Sequence, residues 1–224
     1  TNWNFQMNLE SIWAQIEQDQ TWRTDEIRFF DNQVAKVAIA EQDKFRRANV
    51  LLLYSHYEGF CKFTFTVYVN TLNAEQIKGS DANFSLVALS LDSIFKVLRN
   101  PQIKSPEFKR ALPDDRKLHL FARDKEFLEG SVDFLSRTIS IPDGVVDTES
   151  NLKPIVLRKN LFRLGFPHDG LESVEGDISQ LLNRRNEIAH GGSGVGVTDK
   201  EYKRLRTVAI HVMNSVKRYV MHAL

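Results

Sequence analysis

A guanidinium, an amide and an imidazole placed close together can manage a phosphodiester, and the segment "DISQLLNRRNEIAHGG" brings such a group to the end of a predicted helix: Arg185, Asn186 and His190, with Arg184 just before them. Asn186 and His190 are four residues apart, hence on one helical face, where the amide can orient the imidazole or a phosphate oxygen beside it. Arg185 is displaced by one residue, yet its long side chain can swing a planar, permanently charged fork to the same point. Imidazole, with an unperturbed pKa of about 6.5, exchanges a proton near neutral pH, while guanidinium stabilises charge growing on phosphate oxygens. That chemistry needs no metal ion.

Spacing alone does not select this group. An Arg followed by four to six residues and then His arises by chance about 1.3 times in a chain with this many of each residue, and the pattern recurs at Arg163 with His168 and at Arg204 and Arg206 with His211. Gly165 and Pro167 interrupt the first of these, and the others sit inside a regular helical stretch with no loop to admit a substrate. Only Arg185 and His190 stand at a helix end followed by glycines, where a polymer can approach. A bland reading stays open beside this one. Arg and His in a last turn oppose the negative end of the helix dipole, and Gly191 is an ordinary stop signal.

The elements that must position these residues read as helices. The first hundred positions hold only Gly59 and Gly79 and no proline, a distribution that long helices tolerate and turn-rich sheets do not. Trp3, Leu9, Ile12, Trp13 and Ile16 form one helical stripe, and Thr24-Asp25-Glu26 reads as the start of a second helix that could run on. From Phe45 to Leu72 helical spacing prevails over the strand-like "FTFTVYV". Phe84 to Leu98 is predicted as one helix, residues 100 to 115 as a proline-spaced connector, and Arg116 to Arg137 as a further helix. Helices are then expected over Asn151 to Leu164, from about 175 to 190, and from about 199 to 222. The last begins with a capping box, Thr198-Asp199-Lys200-Glu201. No repeat or linker stands out, so the fold class is all-α, with residues 1–224 as one helical domain.

Composition narrows the function. With 30 Lys and Arg against 29 Asp and Glu, the net charge of +1 excludes a strongly basic nucleic-acid coat protein but permits a local basic cleft. Basic residues do cluster, over Lys153 to Arg163 and from Asn183 onward, whereas Asp169 to Asp177 is acidic. Cys61 is the single cysteine, so neither an intrachain disulfide nor a multi-cysteine zinc site is expected, and a reducing, cytoplasmic location is the default. No apolar run approaches the roughly 20 residues that span a bilayer. No membrane association, metal or cofactor is anticipated.

"RRNEIAHG" resembles the signature of the HEPN superfamily, helical domains that cleave RNA or associate with nucleotides, and "LLLYSHYEGFCK" is similar to a helix that brings a polar residue toward that signature in stand-alone prokaryotic members. The resemblance implies an HEPN-like helical bundle with additional helices, which dimerises so that two copies of the motif share one cleft. It implies a metal-independent endoribonuclease in which Arg185 holds the phosphate, Asn186 positions it and His190 acts as general acid or base. The RNA 2′-hydroxyl would attack, leaving a 2′,3′-cyclic phosphate and a 5′-hydroxyl. Arg184 is an alternative holder of the arginine role, and Glu58 an accessory that could equally be a simple Glu58–Lys62 pair. By analogy the chain would be a toxin or antiviral defence effector with an antitoxin or defence-system partner. The rival reading is a non-catalytic module that binds RNA or a nucleotide, or scaffolds a partner. In related toxins a Tyr follows the His by two residues; here Gly192 stands there.

Other signals lead elsewhere. His56 and Glu58 form an H-x-E, but the P-C-x-x-C that completes a zinc deaminase site is missing. Gly191 to Gly196 has Val197 where a phosphate loop requires lysine. Phe60, Phe63, Phe65 and Tyr68 fit a core or an interface better than base stacking.

Overall fold

The computed structural model describes residues 9–105, 108, 115–191 and 194–224. Trp3 and half of the 100–115 connector, Pro106 and Pro113 included, lie outside the described residues. The all-α expectation holds. Among the described residues there are eight α-helices with short 3-10 turns, and the sole β feature is an isolated bridge between Lys78 and Thr138.

The chain divides into two compact units. The first contains the described residues up to Thr71, Val146–Phe162 and Phe166–Leu224. It begins with α1 (Leu9–Val34), one continuous helix where two were predicted. Thr24 caps nothing, because its hydroxyl bonds back to the Gln20 and Thr21 carbonyls at 2.9 Å, the arrangement by which threonine stays inside a helix. After a turn, α2 (Gln42–Ala74) carries "FTFTVYV" as helix, with Phe60, Phe65 and Tyr68 buried in the core. Three further helices complete this unit: α6 (Pro154–Arg163, its last residue in the second unit), α7 (Glu175–Ala189) and α8 (Asp199–Ala223).

Its core is the sum of their apolar stripes: Ile16 and Ile27 from α1, Val50, Leu53 and Tyr57 from α2, Leu161 from α6, Ile178 from α7, and Leu205, Val212 and Val216 from α8. Polar clasps set α1 against α8. Tyr202 donates to Asp31 at 2.5 Å, Arg206 pairs with the same carboxylate, and Gln20 donates to Asn214 at 2.6 Å. The segregated charge of the sequence closes on itself here. Arg158 pairs with Glu172 and Glu175, Lys159 with Glu149, and Arg204 with Asp177.

The second unit is Leu72–Val145 with Arg163–Gly165. The single helix expected over Phe84 to Leu98 is two, α3 (Phe84–Ser90) and α4 (Asp92–Arg99), broken at Leu91 where φ is −95° and ψ is 9°. Helix α5 (Arg116–Ser131) stops short of Arg137 because later carbonyls are diverted: Arg137 and Leu135 accept from the backbone N–H groups of Gly79 and Ser80 at 2.9 and 2.7 Å. Asn73 clasps Ile141 through both its N–H and its carbonyl.

Candidate active site

The motif sits at the last turn of α7. His190 is the C-cap, its backbone N–H donating to the Asn186 carbonyl at 3.0 Å, and Gly191 follows at φ +69°. Its left-handed conformation, which ends the helix and releases the chain, is the one that favours glycine.

The two arginines diverge. The Arg184 side chain is 13% exposed and engaged on several sides: it donates to Glu187 at 2.9 Å and to the Gly196 carbonyl at 2.9 Å, and its Nε lies 2.9 Å from Glu201 in an ion pair. Glu201 thereby leaves half of the expected capping box unmade, since only the Thr198 hydroxyl accepts, from the Glu201 N–H at 3.2 Å. Arg46 donates to the Val197 carbonyl at 2.7 Å, and a Cβ on Gly196 would overlap Asp43. The described end of the glycine loop is therefore pinned to α2 and α7.

Arg185 is half-buried and held from one side. Its Nη1 donates to Asn151 at 3.0 Å and to Asn186 at 2.9 Å, and its guanidinium lies 5.0 Å from the centre of the Tyr54 ring. Nε and Nη2 make no hydrogen bond among the described residues. That pair is one of the two-donor edges with which arginine grips a phosphate.

Asn151 is delivered by a tight loop, residues 147–153. Glu149 and Ser150 take left-handed conformations (φ 48° and 67°), which cost a non-glycine residue about 1–2 kcal/mol each. Specific bonds hold the loop there. Buried Asn160 donates to the Asp147 carbonyl at 2.7 Å, the Leu152 N–H donates to the Tyr54 hydroxyl at 2.9 Å, and Tyr57 donates to the Leu152 carbonyl at 3.0 Å. Tyr54 thus supports both the loop and the arginine. Burial, reinforced by the Glu58 carboxylate one turn away, raises the pKa of its hydroxyl. Glu58 stands one turn beyond Tyr54 on α2, and no Glu58–Lys62 ion pair forms among the described residues.

His190 is exposed, and its imidazole makes no hydrogen bond, ion pair or ring contact among the described residues. Beside Asn186 a cleft of about 560 Å³ opens between α6 and α7, lined in part by Lys153, Ile155, Ser179 and Asn183. Lys153 is exposed and makes no ion pair among the described residues.

A family model described as RiboL-PSP-HEPN matches residues 18–222. The chain belongs to this HEPN family. No curated protein and no solved structure matches it. HEPN domains often bind RNA and dimerise, and the family points to RNA-related or nuclease chemistry in general. No helix among the described residues is long and apolar enough to cross a membrane.

Relative to the residues predicted for this HEPN chain, the structure brings Arg185 and Asn186 into direct contact and commits Arg184 to the loop. It adds Asn151 and Tyr54, which sequence reasoning missed. Tyr54 lies in "LLLYSHYEGFCK", four residues before Glu58, and could have been picked out as sharing its face. Asn151 gave no such signal. His56 is buried, with Nε2 2.9 Å from Glu26 of α1, and is no part of this cluster.

Proposed function

We propose that this HEPN chain is a metal-independent endoribonuclease acting on RNA through Arg185, Asn186 and His190. The unbonded Nε–Nη2 edge of Arg185, held open by Asn151, Asn186 and Tyr54, carries this reading: it is a prepared two-donor seat for a phosphate. The 2′-hydroxyl of the preceding ribose attacks the seated phosphorus. The bond from phosphorus to the 5′ oxygen breaks, leaving a 2′,3′-cyclic phosphate and a 5′-hydroxyl. His190 takes the proton of the attacking hydroxyl, and His190 of a second copy, across a homodimer with a composite cleft, returns one to the leaving oxygen. Asn186 sets the phosphate against the arginine, and Glu58 acts from behind through Tyr54. In the cell the protein works in the cytoplasm as a toxin or antiviral defence effector, with an antitoxin or other defence protein as partner.

The test is incubation of RNA with the purified chain and its His190→Ala variant in excess chelator, with the RNA ends mapped. Cyclic phosphate ends from wild type alone uphold the assignment, and equal cleavage by His190→Ala removes it. A second reading, a phosphate clasp without catalysis, is favoured by the exposed His190 imidazole, which no described residue orients. Intact RNA after long incubation, together with saturable, salt-sensitive association, would establish that alternative.

A further inference from the structure

The second unit contains a cleft that the proposed RNA chemistry does not use. It opens between α4 and α5, measures about 330 Å³, and is walled by Ile94, Val97, Leu98, Phe127 and Phe134. Small-ligand sites start near this size and share its make-up, apolar walls with a few polar groups.

Arg123 lines the cleft from α5. Its side chain is buried, at 3% exposure, and Nη1 donates to the Ile103 carbonyl at 2.6 Å. Nε and Nη2 are shut off from bulk water and have no acceptor among the described residues. A buried guanidinium with two unanswered donors is costly and rare in a folded protein, so an acceptor is called for. Glu126, three residues on and lining the same cleft, does not supply it: among the described residues no ion pair joins the two, and its Oε1 accepts from the Ser105 hydroxyl at 3.3 Å. Arg137 also lines the cleft, its guanidinium 5.7 Å from the centre of the Phe134 ring. Two guanidiniums against one carboxylate leave an apolar slot with positive charge along it.

We propose that this cleft binds a small organic anion, a carboxylate or phosphate monoester carried on a flat apolar body. The body lies among Val97, Leu98 and Phe127. The acid supplies the acceptor that Arg123 lacks, the guanidinium turning toward the cleft it already lines, and Arg137 adds a second cation. Nothing in this assignment depends on cleavage of RNA.

Titration of the full chain with 2-naphthoate and with 2-naphthyl phosphate, against neutral 2-naphthamide, tests it by calorimetry and by NMR of the protein. At least one acid is expected to saturate a single site at least about tenfold more tightly than the amide, as a charge-assisted bond to guanidinium requires. The tighter of the two acids identifies the class of ligand. Arg123→Met should abolish the preference for the acid. Should that variant fail to fold, Val97→Trp, at a position 43% exposed, fills the slot and should abolish binding. Equal affinity for acid and amide, no saturable binding of either acid, or binding unaffected by Val97→Trp would overturn the proposal.

Discussion

Arg184 and Arg185 are neighbours on α7 with the same side chain and opposite surroundings. Arg184 spends its donors on Glu187, Glu201 and the Gly196 carbonyl, so its removal strands a half-buried carboxylate and frees the loop. Arg184→Ala is expected to lose about 1–3 kcal/mol in urea denaturation, the usual cost of an orphaned partner of this kind. Arg185→Ala is expected to cost less stability than Arg184→Ala, since its partners are neutral amides and a ring, but to slow the proposed RNA cleavage by about 100-fold or more, the scale on which a preorganised phosphate donor acts. Arg185→Lys should recover little of that rate, because an ammonium offers no two-donor edge. In the proposed site Asn151 acts through Arg185, to which it is hydrogen-bonded, so its effect must depend on that residue. Asn151→Ala is expected to slow cleavage by about tenfold in wild type and not at all in an Arg185→Ala background, a double-mutant cycle that a merely structural role would not produce. The motif was singled out by its context, a helix end followed by glycines, since the same Arg-to-His spacing recurs at Arg163 with His168 and at Arg204 and Arg206 with His211. Asn151, 34 residues away in sequence, was not, because only tertiary packing brings its loop to α7.

At the scale of elements, the long helices were readable from apolar periodicity, and the errors came where a residue has two possible roles. Thr24 has the type and context of a cap but bonds backward, so α1 continues through it. Leu91 breaks α3 from α4 with no glycine or proline to announce it, and Glu201 of the expected capping box is drawn off by Arg184. The stop at the end of α7, by contrast, was written in Gly191. A Cβ there meets no described residue within 4 Å, so the constraint read here is the backbone conformation. Gly191→Ala is therefore expected to cost about 1 kcal/mol in thermal or urea unfolding, the penalty of a left-handed alanine. Because His190 immediately precedes it as the C-cap, cleavage should fall more than that loss of stability explains, measured well below the melting temperature.

For the molecule as a whole, a net charge of +1 conceals a buried ionisable cluster that ties stability to pH. His56 of α2 is 3% exposed and meets Trp22 edge-on, with Glu26, Arg23 and Asp19 of α1 as the charged groups acting on it. Burial lowers its pKa, with Arg23 acting in the same sense, and the Glu26 and Asp19 carboxylates only partly offset this. The folded chain therefore holds His56 neutral at a pH where the unfolded chain, with an ordinary imidazole near 6.5, already binds a proton. Between the lowered folded pKa and about 6.5 the unfolded state carries more protons, so the free energy of unfolding rises with pH across that window and is level above it for this group. Acidifying from pH 7.5 should thus destabilise the protein once the pH passes below about 6.5, before the carboxylates begin to titrate. Urea unfolding at half-unit steps from pH 7.5 to 5 measures the slope directly. In His56→Gln, which cannot take up the proton, the slope over that interval should flatten while the loss below about pH 5 persists; an unchanged slope would assign the acid sensitivity to another group.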